Sequence, residues 1–269
     1  MKKRIMMLVL LMSLMITGAS EATAISLALN DVPTTVNVKL YNSTSYVPLR
    51  AVTKMLDPAA QISWTNEQAT VKTPSLHLTA RPGDLHLNAN DRMLYAKDGI
   101  QLIDESTYVP VRTLSKALGA TVTWDSTSKR VSLYKGNETI LPGDAYYNED
   151  ALYWLSRIIH AESSGEPIKG KIAVGNVVLN RVKNPDFPDS IYDVIFDRKW
   201  GVQFEPIQNG TIYEDPDEES ILAAKLCLDG ASVVSDSLYF LNPVKANSLW
   251  IMNNLTYVET IGNHCFYAE

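Results

Sequence analysis

Two glutamates with the potential for acid–base chemistry, Glu162 and Glu166, lie where an apolar helical pattern ends, in the segment IIHAESSGEP (158–167). The apolar residues recur at spacings of three and four, and Glu162 continues the series after Leu155 and Ile159. Partial burial on this face and the negative end of the helix dipole both raise the pKa of a carboxyl group. Such a group can act as a general acid near neutral pH, although on pattern alone a structural carboxylate at a helix end is the commoner case.

The helix that must position Glu162 is predicted to begin near Asn148, a typical N-cap residue that is followed by two acids suited to the first turn. It must end before Pro167, because the residue preceding a proline is pushed out of the α-helical region. Glu166 lies beyond that break, and a supporting or solvated role is predicted for it. The acidic cluster EDPDEES (214–220) is typical of a helix N-terminus, so no other acid in this half has a context comparable to that of Glu162.

A second helix is predicted over the stretch PIKGKIAVGNVVLNRV (167–182), with Gly175 on its apolar face. A glycine at this position lets another helix approach closely, because it carries no side chain. The helix that carries Glu162 is the candidate neighbour.

The first 24 residues have the pattern of a secretory signal peptide, with three basic residues, a short apolar stretch and a small-residue cleavage motif. Removing them takes away three basic residues and one acid, so the formal charge changes from −6 to −8. Such an acidic chain is a poor candidate for binding nucleic acid or other anionic polymers through long-range attraction, so its ligand is expected to be neutral or recognised by short-range contacts. The sequence therefore predicts an exported bacterial protein that meets the membrane only through its signal peptide. The remaining length and the 46% hydrophobic content suit two domains with ordinary cores.

The sequence contains two cysteines, Cys227 in a helical pattern and Cys265 near the C-terminus. An exported protein can form a disulfide, but two buried thiols are an equally ordinary arrangement. Both possibilities stay open, because spacing does not show whether the two residues meet.

The first half of the mature sequence contains an internal repeat. The motif TSYVPLR, which begins at Thr44, recurs 62 residues later as STYVPVR. Trp64 and Val71 recur 60 residues later as Trp124 and Val131, which indicates that two residues were lost before the second hairpin. Each copy is predicted to form a strand, a short helix, a strand, a turn and a strand.

These motifs resemble the copper amine oxidase-like N-terminal domain, and the similarity covers residues 25–135. A copper site would need clustered imidazoles, but this half offers only His77 and His86, which fit half-exposed strand positions. A non-catalytic spacer or wall-attachment module is therefore predicted. Its repeated aromatic residues are able to stack on sugars but are predicted to belong to the core: Tyr46, Trp64, Tyr108 and Trp124.

Residues 149–269, which follow a polar linker at 136–148, resemble the SleB-type cell wall hydrolase family, the catalytic domain of spore cortex-lytic enzymes. The resemblance rests on the block HAE…GEP…VGNVVLNRV, from His160 to Val182, and on the later motifs QFEP, FLNP and GNHCFYAE. It implies a lytic transglycosylase reaction on peptidoglycan glycan strands, with no cofactor or metal. It also implies that the glutamate of the HAE motif, Glu162, is the acid/base.

The predicted fold class is α+β. A duplicated, small β-α-β-β N-terminal domain precedes a mainly helical α+β catalytic domain, which the resemblance relates to lysozyme and the lytic transglycosylases.

Other residues in the matching motifs carry amide, imidazole or aromatic groups suited to binding acetamides or stacking on sugar rings. Together with Glu166 they form the predicted substrate-binding set: Gln203, Phe204, Asn242, Trp250, His264 and Tyr267. The ending GNHCFYAE alternates like a strand, which puts His264 and Phe266 on one face and Cys265 and Tyr267 on the other.

Three other functions stay open. An N-acetylmuramoyl-L-alanine amidase that uses zinc would need about three protein ligands, and this half offers two histidines, His160 and His264. A cysteine peptidase would need an activated thiol beside a histidine. A wall-binding protein with an inactive second domain is the non-enzymatic alternative. Because spore cortex-lytic enzymes usually carry a different binding module, cortex and vegetative peptidoglycan both stay open as substrates.

Overall fold

The computed structural model describes residues 25–199, 201–246 and 250–269. The predicted signal peptide, residues 1–24, lies outside this part of the chain. Within the described ranges, no helix has the length and apolar character needed to cross a membrane.

The first half forms short strands and two short helices around one hydrophobic core, which draws on both copies of the repeat. The elements, in chain order, are β1 (Ser26–Leu29), β2 (Val32–Pro33), β3 (Lys39–Tyr41), β4 (Thr44–Pro48), α1 (Leu49–Leu56), β5 (Gln61–Thr65), β6 (Gln68–Lys72), β7 (His77–Ala80), β8 (His86–Ala89), β9 (Arg92–Tyr95), β10 (Gln101–Ile103), β11 (Ser106–Pro110), α2 (Val111–Ala117), β12 (Ala120–Asp125) and β13 (Arg130–Lys135).

The two copies of the repeat meet in a sheet with the strand order β10-β11-β4-β3. β4 and β11 pair antiparallel, with Tyr46 opposite Pro110 and Pro48 opposite Tyr108. Because these residues are repeat counterparts, the two copies are related by an approximate two-fold axis through the centre of this pairing. The predicted duplication of a strand, helix and hairpin unit is confirmed, with β4-α1-β5-β6 as one copy and β11-α2-β12-β13 as the other.

The hairpins that end the two copies differ in length, and this corrects one predicted match. In the first copy, Ile62 lies opposite Val71. In the second copy, Val122, the counterpart of Ile62, lies opposite Leu133. Leu133 is therefore the counterpart of Val71, and the predicted match to Val131 is wrong, because the longer turn of the second hairpin restores the two residues lost before it.

The repeated aromatic residues divide into buried tyrosines and exposed tryptophans. Tyr46 and Tyr108 are buried in the core, as predicted. Trp64 is 49% exposed and Trp124 is 40% exposed, so the prediction that they are core residues is wrong. Both tryptophans lie on edge strands, β5 and β12, where one flank has no neighbouring strand in the sheet to cover the ring.

The second half is mainly helical, with a small antiparallel sheet of order β14-β16-β15. Helices α4, α5 and α8 pack against one another around its core. The elements are α3 (Gly143–Tyr146), α4 (Glu149–Ser163), α5 (Ile168–Lys183), α6 (Ile191–Phe196), α7 (Pro206–Asn209), a 3-10 helix (Thr211–Tyr213), α8 (Glu218–Leu228), β14 (Tyr239–Leu241), α9 (Trp250–Asn254), β15 (Thr256–Ile261) and β16 (His264–Ala268). The predicted C-terminal strand and the α+β fold class are confirmed.

The segment predicted to be a linker, residues 136–148, packs against both halves. Ile140 belongs to the core of the first half. The hydroxyl of Tyr147 accepts a hydrogen bond from the backbone N–H of Met93 at 2.8 Å, while its ring lies 5.7 Å from the ammonium of Lys225 in α8. The segment is therefore a fixed connection in the described structure.

A buried ion pair also joins the two halves. Asp229, just after α8, accepts hydrogen bonds from Arg92 at 2.7 Å and from Lys116 at 2.8 Å. The guanidinium carbon of Arg92 lies 3.3 Å from the centroid of the Tyr146 ring. The Asp229 side chain is only 3% exposed, so loss of its buried partner Arg92 would leave the carboxylate with only the partly exposed Lys116, and the contact therefore favours one arrangement of the halves.

Both cysteines are free thiols. Cys227 is buried in α8, where its sulfur lies 3.4 Å from the carbonyl oxygen of Ile172, and burial raises the pKa of its thiol. Cys265 lies on β16, and its sulfur is 3.2 Å from the hydroxyl of Thr260. The two cysteines therefore occupy separate parts of the second half.

Gly175 of α5 lies where three helices meet. A Cβ atom at this position would come within 2.7 Å of the Cys227 sulfur in α8 and within 2.9 Å of Ile159 Cδ1 in α4. Both distances are shorter than van der Waals contact, so only glycine allows the helices to pack this closely. The predicted close approach to the helix that carries Glu162 is confirmed.

We expect Gly175→Val to lower the free energy of unfolding by about 2 kcal/mol, because overpacking a well-filled core forces its neighbours apart. Urea unfolding followed by circular dichroism measures the change. Gly165→Val is the matched control, since a Cβ at Gly165 meets no atom within 4 Å. An equal loss of stability in both variants would contradict the close helix packing.

Candidate active site

The helix that carries Glu162, α4, has the bounds that the sequence predicts. The side chain of Asn148 accepts a hydrogen bond from the backbone N–H of Ala151 at 2.9 Å and so caps the N-terminus. The helix ends at Ser163, and Glu162 therefore lies in its last turn. Ile159 and Leu155, one and two turns earlier on the same face, are fully buried.

The carboxyl group of Glu162 is half-buried and has no hydrogen-bond partner among the residues that the structure describes. Burial, and to a smaller extent the negative charge of Glu205, raises the pKa of Glu162 to about 7, against the opposing effect of Arg181. Burial is thus the main cause, and the predicted contribution of the helix dipole stays a prediction. Near neutral pH the protonated and ionised forms are both populated, so this group can give a proton and take one back.

Arg181 of α5 provides the positive charge that acts on Glu162. It is buried, and its Nε donates a hydrogen bond to the carbonyl oxygen of Leu238 at 2.8 Å. Burial lowers the pKa of Arg181 to about 10, which leaves the guanidinium charged at neutral pH. Three aromatic rings surround it, with centroids 5.0–5.4 Å from the guanidinium carbon: Phe187, Phe204 and Tyr239.

Arg181 belongs to a polar stripe on α5 that holds the loop 231–238. Asn176 donates a hydrogen bond to the carbonyl of Ala231 at 2.7 Å and accepts one from the N–H of Val233 at 2.8 Å. Asn180 donates to two further carbonyls in the same loop, at 2.8 and 3.0 Å. Sequence analysis missed these roles because it considered only the apolar face of α5, although polar residues inside the buried VGNVVLNRV stretch were the available signal.

Glu205 is a second acid that acts on Glu162, and this corrects the expectation that no other acid in this half has a comparable context. Glu205 is exposed and stands immediately before Pro206, the first residue of the short helix α7. It lies outside any helical periodicity, so no sequence pattern relates it to Glu162. Only the fold brings the two carboxyl groups close enough to interact.

The two predicted site residues that precede Glu205 support Arg181. Gln203 accepts a hydrogen bond from Arg181 Nη1 at 3.4 Å. Phe204 is only 2% exposed, and its ring packs in the core beside Arg181. Its predicted contact with substrate stays a prediction.

Glu166 anchors the turn between β15 and β16. Its two carboxylate oxygens accept hydrogen bonds from the backbone and side-chain nitrogens of Asn263, at 2.9 and 2.8 Å. Burial would raise the pKa of Glu166, but the two hydrogen bonds outweigh it and hold the pKa below its ordinary value. The carboxylate is therefore ionised at neutral pH, and a substrate contact for Glu166 stays a prediction.

The remaining residues of the predicted set lie in and around the C-terminal sheet, where the backbone carbonyl of Tyr267 accepts a hydrogen bond at 2.9 Å from the N–H of Leu238, whose own carbonyl binds Arg181. His264 is buried beside Phe240, its Nδ1 has no partner among the described residues, and burial lowers its pKa, so the ring is neutral at pH 7. Asn242 holds a turn by accepting a hydrogen bond at 3.0 Å. Trp250 is 57% exposed at the start of α9, whereas Tyr267 is buried. Their substrate contacts stay predictions.

The histidines considered as metal ligands lie in different places. His160 approaches the hydroxyl of Ser220 at 3.5 Å, on a different side of α4 from Glu162, whereas His264 lies on β16. His77 is exposed in β7 and His86 is half-buried in β8, as predicted for strand residues. Within the described ranges, no group of three or more His, Cys, Asp and Glu side chains is placed to hold a metal ion.

Two family models match the chain. One, described as Cell Wall Hydrolase, matches residues 165–267, and the other, described as Copper amine oxidase N-terminal domain, matches residues 27–133. The first range begins three residues after Glu162, so the match itself does not include that residue.

Several curated proteins resemble the second half. The spore cortex-lytic enzyme of Halalkalibacterium halodurans is 34% identical over 122 residues, which are 45% of this chain and 36% of that protein. The spore cortex-lytic enzyme of Bacillus subtilis is 33% identical over 126 residues, 47% of this chain and 39% of that protein. The cell wall hydrolase CwlJ of Oceanobacillus iheyensis is 31% identical over 129 residues, 45% of this chain and 89% of that protein. The chain thus spans less than half the length of the cortex-lytic enzymes that it matches.

A solved structure, the catalytic domain of the Bacillus cereus SleB protein, is 32% identical to this chain. The match covers 49% of this chain and 99% of that one, with a TM-score of 0.42.

Removing the negative charge of Glu205 should lower the pKa of Glu162 below about 7, because the ionised form no longer faces a like charge. A ¹³C NMR titration of the Glu162 carboxyl carbon in Glu205→Gln measures the shift without any assay of activity. Glu214→Gln, which removes another exposed acid of this half, is the control and should leave the titration unchanged. An identical midpoint in both variants would show that Glu205 does not act on Glu162.

Proposed function

The chain belongs to the cell wall hydrolase family, and we propose that it is a peptidoglycan lytic transglycosylase that uses Glu162 as its single acid/base. The bond cleaved is the glycosidic bond between N-acetylmuramic acid and N-acetylglucosamine. The observation that supports this proposal most directly is the half-buried carboxyl of Glu162, whose pKa of about 7 suits proton transfer in both directions at neutral pH.

The proposed reaction has two proton transfers. Glu162 gives its proton to the glycosidic oxygen, the bond to the anomeric carbon of the muramyl residue breaks, and positive charge develops at that carbon. The resulting carboxylate takes the proton of the muramyl 6-hydroxyl, whose oxygen attacks the same carbon. The products are a 1,6-anhydromuramyl end and a free N-acetylglucosamine end, and Glu162 is protonated again.

The charges around Glu162 suit this cycle. The negative charge of Glu205 favours the protonated form that is needed at the start. The fixed positive charge of Arg181 stabilises the carboxylate that forms when the proton leaves. Arg181 is a positioning residue in this proposal, since its hydrogen bonds go to Leu238 and Gln203.

Glu205 also supports one alternative outcome, hydrolysis. Glycosidases that use water commonly pair an acid with a second carboxylate, which activates the water or attacks the sugar. Glu205 is exposed and interacts electrostatically with Glu162, so it is the candidate for that second group. The two reactions differ in their products, because hydrolysis leaves a reducing muramic acid end.

We further propose an extracytoplasmic site of action. The names of the relatives refer to cell walls and to spore cortex, and both lie outside the cytoplasmic membrane. The first half matches a different family model, the copper amine oxidase N-terminal domain, and so gives no indication of which peptidoglycan is the substrate. Cortex and vegetative peptidoglycan are therefore both candidate substrates. Parallel digests of the two materials distinguish them.

Replacing Glu162 by glutamine should lower the rate of glycan cleavage by about 10²–10⁴-fold, because the amide cannot donate the required proton. Mass spectrometry of digested, purified peptidoglycan measures 1,6-anhydromuramyl ends for the parent protein and their loss in Glu162→Gln. Glu214→Gln serves as the control for an exposed acid that does not face Glu162. Persistent cleavage in Glu162→Gln would contradict the assignment, and released stem peptides that disappear with a chelator would indicate the zinc amidase instead.

The rate should fall as the pH rises through about 7, since the acid must be protonated when substrate binds and its raised pKa sets the alkaline limb of the profile. In Glu205→Gln this limb should move to lower pH. Initial rates on soluble glycan fragments, measured from pH 5 to pH 9, test both expectations. A limb at the same pH in both proteins would mean that another group limits the rate.

A further inference from the structure

The approximate two-fold axis of the first half generates two equivalent surface grooves, each built from both copies of the repeat. The Trp124 groove is formed by Trp124, Arg112 and an apolar floor of one copy and by the turn at 43–45 of the other. The Trp64 groove is formed by Trp64, Arg50 and an apolar floor of one copy and by the turn at 105–107 of the other. The floor residues are repeat counterparts: Pro110, Val111, Val122 and Val131 in the first groove, and Pro48, Leu49, Ile62 and Ala69 in the second.

Each groove combines a flat aromatic ring, a guanidinium and, on the opposite wall, hydroxyl groups. Trp124 and Trp64 are 40% and 49% exposed, so part of each ring is open to a ligand. A concave site with an aromatic surface and a few polar groups is typical of ligand binding. The apolar faces of sugar rings stack on such indoles, and hydroxyls and amides bind the sugar edges.

The two grooves differ in charge and in size. Lys97, Arg112 and Lys129 line the Trp124 groove, and no acidic side chain among the described residues lines it. None of these three cations forms an ion pair within the described part of the chain. The Trp64 groove instead has Arg50 opposite Glu105.

The Trp124 groove encloses about 560 Å³, within the range of ordinary ligand sites, whereas the Trp64 groove encloses about 160 Å³. In a chain whose formal charge is −6, three unpaired cations in one groove favour an anionic ligand.

The Trp124 groove also leads towards the second half. Tyr95 and Lys97 border both this groove and a cavity of about 520 Å³ at the junction of the halves. Gly262 lines the far side of that cavity, in the turn whose next residue, Asn263, bonds to Glu166. A polymer that entered both cavities would contact the two halves at once.

We propose that the Trp124 groove binds a peptidoglycan glycan strand, with a sugar ring stacked on Trp124 and stem-peptide carboxylates paired with Arg112 and the two lysines. The inference rests on the proposed function for the identity of the polymer. In this inference the first half has a role that the enzymatic proposal does not need. By binding the insoluble substrate, the first half keeps the second half close to it and raises the local concentration of cleavable bonds.

The test is co-sedimentation of the full chain with purified sacculi from which the teichoic acids have been removed. The protein carries Glu162→Gln, so that binding is measured without cleavage. Trp124→Ala in this background should weaken binding about tenfold, because the stacked surface is lost. Trp64→Ala is the matched control from the smaller groove without net positive charge, and it should weaken binding less than about threefold.

A second variant tests the charges without removing the indole. Arg112→Gln with Lys129→Gln changes two exposed side chains and should weaken binding and flatten its dependence on salt. Thermal unfolding of each variant confirms that it is folded.

Unchanged binding in folded Trp124→Ala would overturn the inference, and so would equal losses in Trp124→Ala and Trp64→Ala. Binding that requires teichoic acid would also overturn it, since the ligand would then be a phosphate polymer. These outcomes are independent of the enzymatic proposal, which is tested separately by the cleavage of soluble glycan fragments by the parent protein and its loss in Glu162→Gln.

Discussion

The structure around the candidate site depends on one constraint, which is that the carboxyl of Glu162 must be held partly out of water next to charges of both signs. Burial is the main reason for its pKa of about 7, and Glu205 and Arg181 act on it in opposite directions. Glu162 follows Ile159 by one turn of α4, and Ile159 packs against Gly175 where α4, α5 and α8 meet. A small change in helix spacing would therefore alter both the packing and the proton affinity of the same group.

Helix α5 serves the site in two ways. Its apolar face, with Gly175, sets the position of α4, while Asn176, Asn180 and Arg181 hold the backbone of the loop 231–238. Buried amides and a buried guanidinium are stable only when their hydrogen bonds are made, so the loop and the helix must fold together. The same loop leads into β14, which pairs with β16 and so connects the site to the C-terminal sheet.

The features that the sequence predicts are those set by local patterns. The Asn148 cap, the bounds of α4 and the inward position of Glu162 all follow from helical periodicity, and the repeat predicts its own duplicated unit. What sequence analysis missed depends on contacts between distant elements. Glu205 lies in an irregular segment, so no periodic pattern places it. Arg181 is charged yet buried and Trp124 is apolar yet exposed, so both depart from the burial that is usual for their residue types.

The two copies of the repeat have kept their fold but differ in what they contact. Lys54 of the first copy donates a hydrogen bond at 2.9 Å to the carbonyl of Pro58, close to its own helix, whereas its counterpart Lys116 reaches Asp229 in the second half at 2.8 Å. The approximate two-fold symmetry is therefore broken at the junction, where Lys116 of the second copy contacts the second half. The Trp124 groove lies on this side and shares Lys97 with the junction cavity, so its larger size and positive charge have a structural basis in the divergence of the two copies. The two grooves are built from equivalent residues, but of the two only the Trp124 groove shares lining residues with the junction cavity in the described part of the chain.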